Sequence, residues 1–457
     1  MLVALTFKKF LIMKEITNKL LYKLRSTPEK GKKKVSLTLK IREYCFLLLT
    51  VFLSTFAIGQ NTNDLGADFR QASNEFVATG GDIEWIGSTL IPNNSAYTEG
   101  MGTLQRIVYD ELPLTSDNVH TLRIRLQTQK DGAHAYDFIH SWDQAFLVAQ
   151  DILPPEFVSL PENRSDPALQ ECGDAISATA EAACVASGYY IDIPISGELD
   201  YPLAGDENTR LDVIQAFEAE YLTRTVRVKG NVDDFDLGAS AVTFAGYDGV
   251  YMNYDLTWKS SSTQVVIEFA AHIAAGYSPS ELEEDGILGY GPNRGASAIS
   301  GNPYHVILGN FLTGEGGNGQ KDNQLQANAV LLRPRCDIEG PDDICVGDEG
   351  NLEYTATPVN LQDPTFEWEI LDPGTTNVSI VGTTDTPNLV VDPGDQPGTF
   401  TVQFTVTNDS GLYNTCTYET TIDQIEATLN DPDDECQQGE DMEFQAQIDG
   451  VNATGGT

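Results

Sequence analysis

Positive charge is scarce in this sequence. The chain has 27 lysine and arginine residues against 68 aspartate and glutamate residues, a formal net charge of −41. Twelve of the basic residues and only three of the acidic ones lie in residues 1–59, so residues 60–457 carry 15 basic and 65 acidic residues, a net charge of −50. A body this acidic repels nucleic acid and anionic lipid head groups, so we expect no nucleic-acid partner. It suits a solvated extracellular protein with divalent cations as counterions, although solubility alone also accounts for the charge.

The motifs of common enzyme classes are absent as well. The sequence has no H-E-x-x-H, no G-x-S-x-G, no P-loop and no dinucleotide fingerprint. The stretch "NVDDFDLG" has the wrong ligand spacing for a calcium loop and lacks the closing glutamate. Carboxylate pairs for glycoside hydrolysis are not diagnostic here, because their pairing is spatial and acidic residues are everywhere. We therefore expect no catalytic, cofactor-binding or metal-binding residues and no enzyme, and Ca²⁺ binding by the first domain is a hypothesis that rests on charge alone.

Histidine is rare, and two of the five histidines fall in "DGAHAYDFIHSWD", residues 131–143. In an extended chain His134 and His140 stand ~20 Å apart, and in a helix they point to different sides. Metal ligands must converge to within about 2 Å of one ion, so neither geometry makes these two residues co-ligands. His272 and His305 lie in apolar, strand-like surroundings, where a hydrogen-bonded core histidine is the usual role.

Tryptophan is also rare. A tryptophan or tyrosine exposed on a sheet could stack on a sugar ring, whereas a tryptophan in the core only packs. We expect at least Trp368 to lie in the core. The four tryptophans of the sequence are Trp85, Trp142, Trp258 and Trp368.

The apolar run near the N-terminus is too short for a membrane span. "CFLLLTVFLSTFAIG", residues 45–59, would reach only ~22 Å as a helix, short of the ~30 Å hydrocarbon core. Basic residues precede it, and Ala57 and Gly59 occupy the −3 and −1 positions of a small-residue cleavage site. We interpret residues 1–59 as a secretory signal peptide with a long basic n-region; an uncleaved anchor is the alternative. The protein is then secreted or on the outer cell surface, with no stable membrane span after cleavage.

Six cysteines follow the signal peptide, and an even count in an exported chain favours disulfides over metal or catalytic thiols. Cys172 with Cys184 is a plausible local clip, and Cys345 with Cys416 would close one of the later domains. The partners of Cys336 and Cys436 are left open by the sequence.

Residues 60–335 are typical of a large β-rich module. In "HTLRIRLQTQ", Leu122, Ile124 and Leu126 alternate with polar residues, which predicts one buried and one wet face. Further predicted strands are "TRTVRVKG", "YMNYDLTW", "TQVVIEFAAHIA" and "QLQANAVLL". A short helical insertion is predicted at about 166–222, with Asn208 or Thr209 capping its second helix. The module is therefore one large β-sandwich-type domain, or two sandwiches.

Residues 336–423 are typical of an immunoglobulin-like β-sandwich of about ninety residues. "GTFTVQFTVTNDSG" alternates most cleanly, with Phe400, Val402, Phe404 and Val406 directed inward. "DDICVGDEGNLEYTA" at 342–356 recurs as "DDECQQGEDMEFQA" at 433–446. Residues 424–457 therefore form the truncated start of a second module, too short to bury a core, and we expect the chain to be a fragment of a longer protein.

Two family resemblances follow from these motifs. "GPDDICVGDEGNLEYTA", "FEWEI" and "GTFTVQFTVTNDSG" resemble the PKD-like and other immunoglobulin-like modules of large secreted proteins of Bacteroidota. Residues 82–330 are similar to an uncharacterised N-terminal module of large exported bacterial repeat proteins, with motifs such as "HTLRIRLQTQKDGAHAYDFIHSWD", "FAAHIAAG" and "ISGNPYHVIL" in the same order. The second resemblance implies no activity, but it implies that four residues belong to the recurrent pattern of the module: His134, Asp137, His272 and His305.

Together these features predict a mainly β, secreted or cell-surface, non-catalytic multidomain protein. Its predicted role is adhesin-like or that of a structural stalk, with an extracellular glycan, matrix component or surface protein as partner. The alternative is the binding and spacer region of an extracellular polysaccharide- or protein-degrading enzyme whose catalytic domain is missing, because PKD-like modules accompany such enzymes.

Overall fold

The computed structural model describes parts of the chain between residues 64 and 452. The described ranges are 64–74, 83–153, 160–161, 163–276, 287–331, 333–346, 350–359, 361, 363–409 and 411–423, with the backbone of three short strands beyond them. The chain divides into two compact units, Met1–Asn61 and Thr62–Thr457, and every described residue belongs to the second. The predicted signal peptide therefore lies outside the described residues, as does most of the predicted second immunoglobulin-like module.

The described chain is mainly β, which confirms the fold class expected from the sequence. Its helices are α1 (Trp142–Ile152), α2 (Ala178–Ala186) and α3 (Arg210–Tyr221), with 3-10 turns at Leu237–Ala239, Ala296–Ala298 and Ala327–Ala329. The strands of the first part are β1 (Asp68–Asn74), β2 (Ile83–Ile86), β3 (Thr89–Leu90), β4 (Gly102–Tyr109), β5 (Val119–Gln127), β6 (Gln129–Lys130), β7 (Ala133–His134), β8 (Tyr136–His140), β9 (Tyr189–Ser196), β10 (Thr225–Gly230), β11 (Ala241–Asp248), β12 (Tyr251–Lys259), β13 (Val265–Ile273), β14 (Tyr304–Phe311) and β15 (Lys321–Leu325). Those that follow are β16 (Ile338–Glu339), β17 (Asp343–Cys345), β18 (Leu352–Ala356), β19 (Thr365–Asp372), β20 (Ser379–Ile380), β21 (Asn388–Asp392), β22 (Gly398–Thr407), β23 (Tyr413–Asp423), β24 (Ala427–Leu429), β25 (Ala446–Ile448) and β26 (Val451–Asn452).

Thirteen strands of the first part form one hydrogen-bonded sheet. Its order is β2-β1-β4-β13-β10-β9-β11-β12-β5-β14-β15-β3, with β8 also paired to β13. The β9–β11 and β15–β3 pairs are parallel. The two halves of this sheet share one hydrophobic core, and Asn323 of β15 donates a hydrogen bond to Gln105 of β4 at 2.8 Å. The sheet therefore folds over on itself as a sandwich.

Helices cover the outside of one half only. The Nε1 of Trp142 on α1 donates to the carbonyls of Gln105 and Phe269, and α2 packs on Val108 and Val266. All residues of β13 are consequently buried, whereas β5 buries every second residue and presents the others to solvent. This difference explains the near-continuous apolar run in β13 and the clean alternation in β5.

The predicted helical insertion at 166–222 is only partly helical. Between α2 and α3 the chain forms β9, which lies in the middle of the large sheet between β10 and β11. The alternation in "YYIDIPIS" signals this strand, and the propensity of the flanking alanine-rich segment obscured it. Thr209 caps α3 with a capping box, as expected, but α1 was not predicted although Ser141 and Gln144 form a capping box at its start.

The immunoglobulin-like part consists of two four-stranded sheets, β16-β18-β21-β20 and β17-β23-β22-β19. Phe400, Val402, Phe404 and Val406 are all buried between them, as the alternation predicts. Trp368 is buried as well, and its Nε1 donates to the carbonyl of Thr386 at 2.8 Å. In the described ranges, none of the helices has both the length and the apolar character that a bilayer span requires.

Two disulfides are present among the described residues. Cys172 is bonded to Cys184, the local clip suggested by the sequence. Cys416 is bonded to Cys336, so the expected Cys345–Cys416 pair is wrong. Cys345 is the register partner of Asp423, seven residues beyond Cys416 along β23. At ~3.3 Å per residue this places the two cysteines ~23 Å apart along the strand, far beyond the ~7 Å reach of a disulfide.

The two disulfides should differ in their effect on stability. They close loops of 12 and 80 residues, and a longer loop restricts the unfolded chain more. Replacing both cysteines of Cys336–Cys416 by serine is expected to lower the unfolding free energy by about 4.5 kcal/mol, against about 3 kcal/mol for Cys172–Cys184. Urea unfolding of the two double variants measures this, and an equal or reversed order would contradict the chain-entropy origin of the difference.

Candidate functional site

The sequence-predicted residues of the "DGAHAYDFIHSWD" stretch meet β13 in the interior. His134 lies on β7, Asp137 and His140 on β8, and His272 on β13. We call these four residues the histidine cluster. Each of them is at most 1% exposed.

His272 and Asp137 form the central pair of the histidine cluster. Nδ1 of His272 donates to Oδ1 of Asp137 at 2.6 Å, and the ring of Phe138 stacks on His272 with centroids 4.1 Å apart. The hydroxyl of Tyr290 donates to the other carboxylate oxygen at 3.4 Å. A carboxylate that orients an imidazole is the arrangement found around a general base. Because the ring is buried, a substrate in solvent cannot contact it.

His140 is held without a charge partner. Its ring lies 5.8 Å from that of His272 and 5.0 Å from that of Phe217, and neither ring nitrogen has a hydrogen-bond partner among the described residues. Burial, together with the charges of His272 and Arg224, holds the pKa of His140 well below its usual value. His140 is therefore neutral at physiological pH.

His134 and His305 each bind a carboxylate other than Asp137. Nε2 of His134 donates to Asp206 at 3.0 Å, and burial lowers the pKa of His134 despite that carboxylate. His305 lies on β14, partly exposed, and Nδ1 donates to Asp322 at 2.7 Å. The structure thus does not bring His134, His272 and His305 to a shared point. Across the described ranges, no three His, Cys, Asp or Glu side chains are grouped in a way that would hold a metal ion.

Two buried arginines hold the strand β8, which carries two residues of the histidine cluster. Arg210 and Arg224 bind the two carboxylate oxygens of Glu198, at 2.7 and 2.9 Å. The same arginines donate to the carbonyls of Asp137 and Ile139 on β8. These contacts tie β8 and the start of α3 to the single carboxylate of Glu198.

The close packing of the histidine cluster predicts a stability cost at Gly102. A Cβ added at Gly102 would overlap the imidazole of His140 and the methyl of Ala270. Overpacking of this kind costs ~1–3 kcal/mol, so we expect Gly102→Ala to lower the unfolding free energy by that amount in urea titrations. Gly87→Ala is the matched control, because no atom lies within 4 Å of the Cβ it would add. Equal stability of both variants would show that His140 is not packed as described.

A pair of glutamates forms a second buried polar site, which the sequence did not indicate. Glu268 of β13 is buried and accepts from Arg164 at 2.5 Å, while Glu171 contacts Lys229. Burial and the hydrogen bond with Glu171 raise the pKa of Glu268 to about 8. The pKa of Glu171 falls to about 2, because the bond to Glu268 and the charges of Lys229 and Arg164 outweigh burial. The pair therefore shares one proton at neutral pH.

This shared proton predicts a pH dependence. Glu268 is protonated in the folded state up to about pH 8 but ionised in the unfolded state above about pH 4.5. Its contribution to stability is therefore complete below about pH 4.5 and is lost as the pH rises to 8, by about 1.4 kcal/mol per unit. Glu268→Gln mimics the protonated acid. Its unfolding free energy relative to wild type is expected to rise by about 1.4 kcal/mol per pH unit between pH 5 and 8, as measured by urea titrations.

The matched control for this prediction is Glu84→Gln, an exposed glutamate on β2. Its stability difference from wild type should stay flat over the same pH range. A flat difference for Glu268→Gln too would mean that Glu268 is ionised in the folded protein.

Among the described residues, the half of the large sheet that contains β5 and β12 has no helices over its outer side, and solvent reaches that side. We call it the outer face. Arg123 binds Asp255 in a bidentate pair at 2.7 and 2.8 Å, and Arg125 donates to Asn253 and Asp248. Its side chains come from four neighbouring strands and are Thr121, Arg123, Arg125, Tyr251, Asn253, Asp255, Thr257, His305, Ile307, Asp322 and Gln324.

An aromatic ring on the outer face comes from tyrosine rather than tryptophan. The guanidinium of Arg125 lies 4.9 Å from the ring centroid of Tyr251, which is half-buried. The four tryptophans are at most 2% exposed, so none of them can stack on a sugar: Trp85, Trp142, Trp258 and Trp368. In the sequence, the charged residue within "VVIEFAAHI" marks Glu268 alone and gives no indication of its partner Glu171, and the Arg–Asp spacing across β5 and β12 gives no signal until the strands are paired.

Comparison with known proteins gives no family. No family model and no curated protein matches the chain. Among solved structures, a nucleoside hydrolase-related hypothetical protein from Saccharophagus degradans, described as associated with carbohydrate metabolism, is 7% identical over 23% of this chain and 36% of its own, with a TM-score of 0.17.

Two protocadherin structures give similarly weak matches. PcdhgB3 EC1-4 is 11% identical over 36% of each chain with a TM-score of 0.18. The protocadherin gammaB7 EC3-6 cis-dimer is 10% identical over 40% of this chain and 43% of its own with a TM-score of 0.17. The matched regions span well under half the length of each of these three proteins, and similarities this weak carry no functional argument.

Proposed function

We propose that this chain is part of a secreted or cell-surface, non-catalytic binding protein of adhesin type, and that the outer face binds a neutral extracellular glycan. The observation that carries the proposal is the outer face itself, a row of paired planar side chains around Tyr251 and Arg125 that solvent reaches. The resemblance to modules of exported Bacteroidota proteins also supports the secreted or cell-surface part of this proposal.

The distribution of polar groups supports binding rather than catalysis. The pairs with catalytic chemistry, His272–Asp137 and Glu268–Glu171, lie in or beside the core, and His272, Asp137 and Glu268 are at most 1% exposed. The arginine and carboxylate pairs of the outer face are partly exposed, with the Arg125 side chain 29% exposed. Binding requires the second kind of group, since a ligand can contact such a group without opening the fold.

The charges of the outer face favour a neutral ligand. Arg123, Arg125 and His305 of the outer face are each paired with a carboxylate, those of Asp255, of Asp248 on the adjoining strand β11, and of Asp322. The chain beyond residue 59 carries a net charge of −50, which repels an anionic polymer at long range. Planar guanidinium, amide and carboxylate groups can hydrogen-bond to sugar hydroxyls, and a tyrosine ring offers an apolar surface beside them.

Glycan-array binding of the whole chain tests this proposal. Arg125→Ala combined with Tyr251→Ala is expected to weaken binding to a neutral glycan by roughly tenfold or more, the loss of about 1.4 kcal/mol that central aromatic and arginine contacts supply. The matched control is Tyr190→Ala, because Tyr190 also lies beneath an arginine, Arg227, at 4.3 Å but outside the outer face.

The control variant should bind like wild type. Equal weakening of both variants would show that the outer face is not the binding surface. Binding of anionic glycans only, or of no glycan on the array, would contradict a neutral glycan as the ligand.

A further inference from the structure

The outer face ends at a sheet edge where a hydroxyl and an amide meet. Thr89 of β3 and Gln324 of β15 are register partners in a parallel pair. The Thr89 hydroxyl donates to Oε1 of Gln324 at 3.1 Å, although 235 residues separate the two in sequence. The strand β3 is only two residues long and is the last strand on this side of the sheet.

The orientation of the Gln324 amide is fixed by its other contact. Nε2 donates to Oδ2 of Asp322 at 2.9 Å, and a carboxylate can only accept, so the nitrogen must face Asp322 and the carbonyl must face Thr89. Nδ1 of His305 donates to the same Oδ2 at 2.7 Å. His305 and Thr89 are the register partners of Gln324 on either side, so the groups form one row across three strands.

The backbone on both sides of this contact is held in place. The fully buried side chain of Gln71 donates to the carbonyls of Ser88 and Gln324, both at 2.8 Å. The side chain of Asn94 donates to the carbonyl of Thr89 at 3.3 Å. The hydroxyl and the amide are therefore positioned by neighbouring strands before any reaction, which is the condition under which intramolecular reactions gain most.

We propose that Thr89 and Gln324 become joined by an ester bond. The hydroxyl oxygen lies within about 4.3 Å of the amide carbon, since it is 3.1 Å from an oxygen bonded to that carbon at ~1.23 Å. Oγ1 of Thr89 attacks Cδ of Gln324, the C–N bond breaks with its electron pair on nitrogen, and ammonia leaves. The net change is hydroxyl plus carboxamide to ester plus ammonia, so no oxidant or cofactor is needed.

Asp322 is the catalytic residue of this step because it contacts the departing nitrogen. The proton that Thr89 releases reaches the Asp322 carboxylate and is delivered from there to the departing nitrogen, so Asp322 begins and ends the step ionised. His305 is a positioning residue, which orients the carboxylate from the other side. An amide does not yield an ester readily in solution, but effective molarities of ~10⁵ M or more for well-oriented groups, together with dilution of the ammonia, favour the product.

The product would close the sheet at its weakest edge. The β3–β15 ladder has only two register pairs, and such a short parallel edge frays easily. An ester here ties the start of the first sandwich covalently to its last strand. This inference does not depend on a glycan ligand, and its test does not measure binding.

Tryptic peptide mapping of the whole folded chain tests the bond by mass spectrometry. The expected product is a branched peptide that joins residues 71–106 to residues 322–335 and is lighter than their sum by one ammonia. Hydroxylamine, which cleaves esters but leaves amides intact, should separate the two arms. Unlinked peptides with Gln324 intact, Gln324 converted to glutamate without a link, or a hydroxylamine-resistant link would each overturn the proposal.

Variants of the same face supply the controls. Thr89→Val should abolish the branched peptide and Thr89→Ser should keep it, whereas Thr121→Val removes a hydroxyl that only contacts Thr257 and should leave it unchanged. In a time course after folding from urea, Asp322→Asn is expected to slow ester formation roughly a hundredfold. His305→Ala should slow it and His305→Asn, whose side-chain N–H can replace Nδ1, should restore it; a branched peptide in Thr89→Val would refute the assignment.

Discussion

Burial of both faces of β13 is the constraint on which the rest of the first sandwich depends. A strand with no wet side needs a layer against each face, and here the second half of the folded sheet lies on one side and α1 with α2 on the other. The layers are unequal as a result. The half that contains β5 and β12 has no helices over it, so its outer side is the broad solvent-facing surface that remains.

The same burial determines how the polar groups are arranged. β13 carries Glu268 and His272 in an otherwise apolar strand, and each must be compensated where no water is available. Segments distant in sequence supply the compensation, Arg164 and Glu171 for Glu268 and Asp137 for His272. Because each contact forms only when those segments reach one particular place, the buried polar pairs specify the arrangement of layers more than they add stability.

Which features can be predicted from the sequence depends on how far apart in sequence the interacting residues lie. Alternation in β5 and β22 is a local pattern, so it predicts strands, buried faces and the fold class correctly. The two glutamates of the pair are 97 residues apart in sequence, and Thr89 and Gln324 are 235 residues apart, so no local pattern could join either pair. The wrong Cys345–Cys416 pair has the same origin, because the parallel pairing of β17 with the far end of β23 is invisible before the topology is known.

Reactivity in this molecule depends on position relative to the sheet more than on residue type. His272 with Asp137 and His305 with Asp322 are the same chemical pair at nearly the same distance, 2.6 and 2.7 Å. The first is enclosed by Phe138 and the core, and water and substrates are excluded from it. The second lies on the outer face beside an amide and a hydroxyl. A histidine-rich stretch is therefore a poor guide to chemistry in a layered β protein, since the strand that carries it can be buried on both faces, whereas the uncovered side of a sheet leaves such a pair within reach of a reacting group.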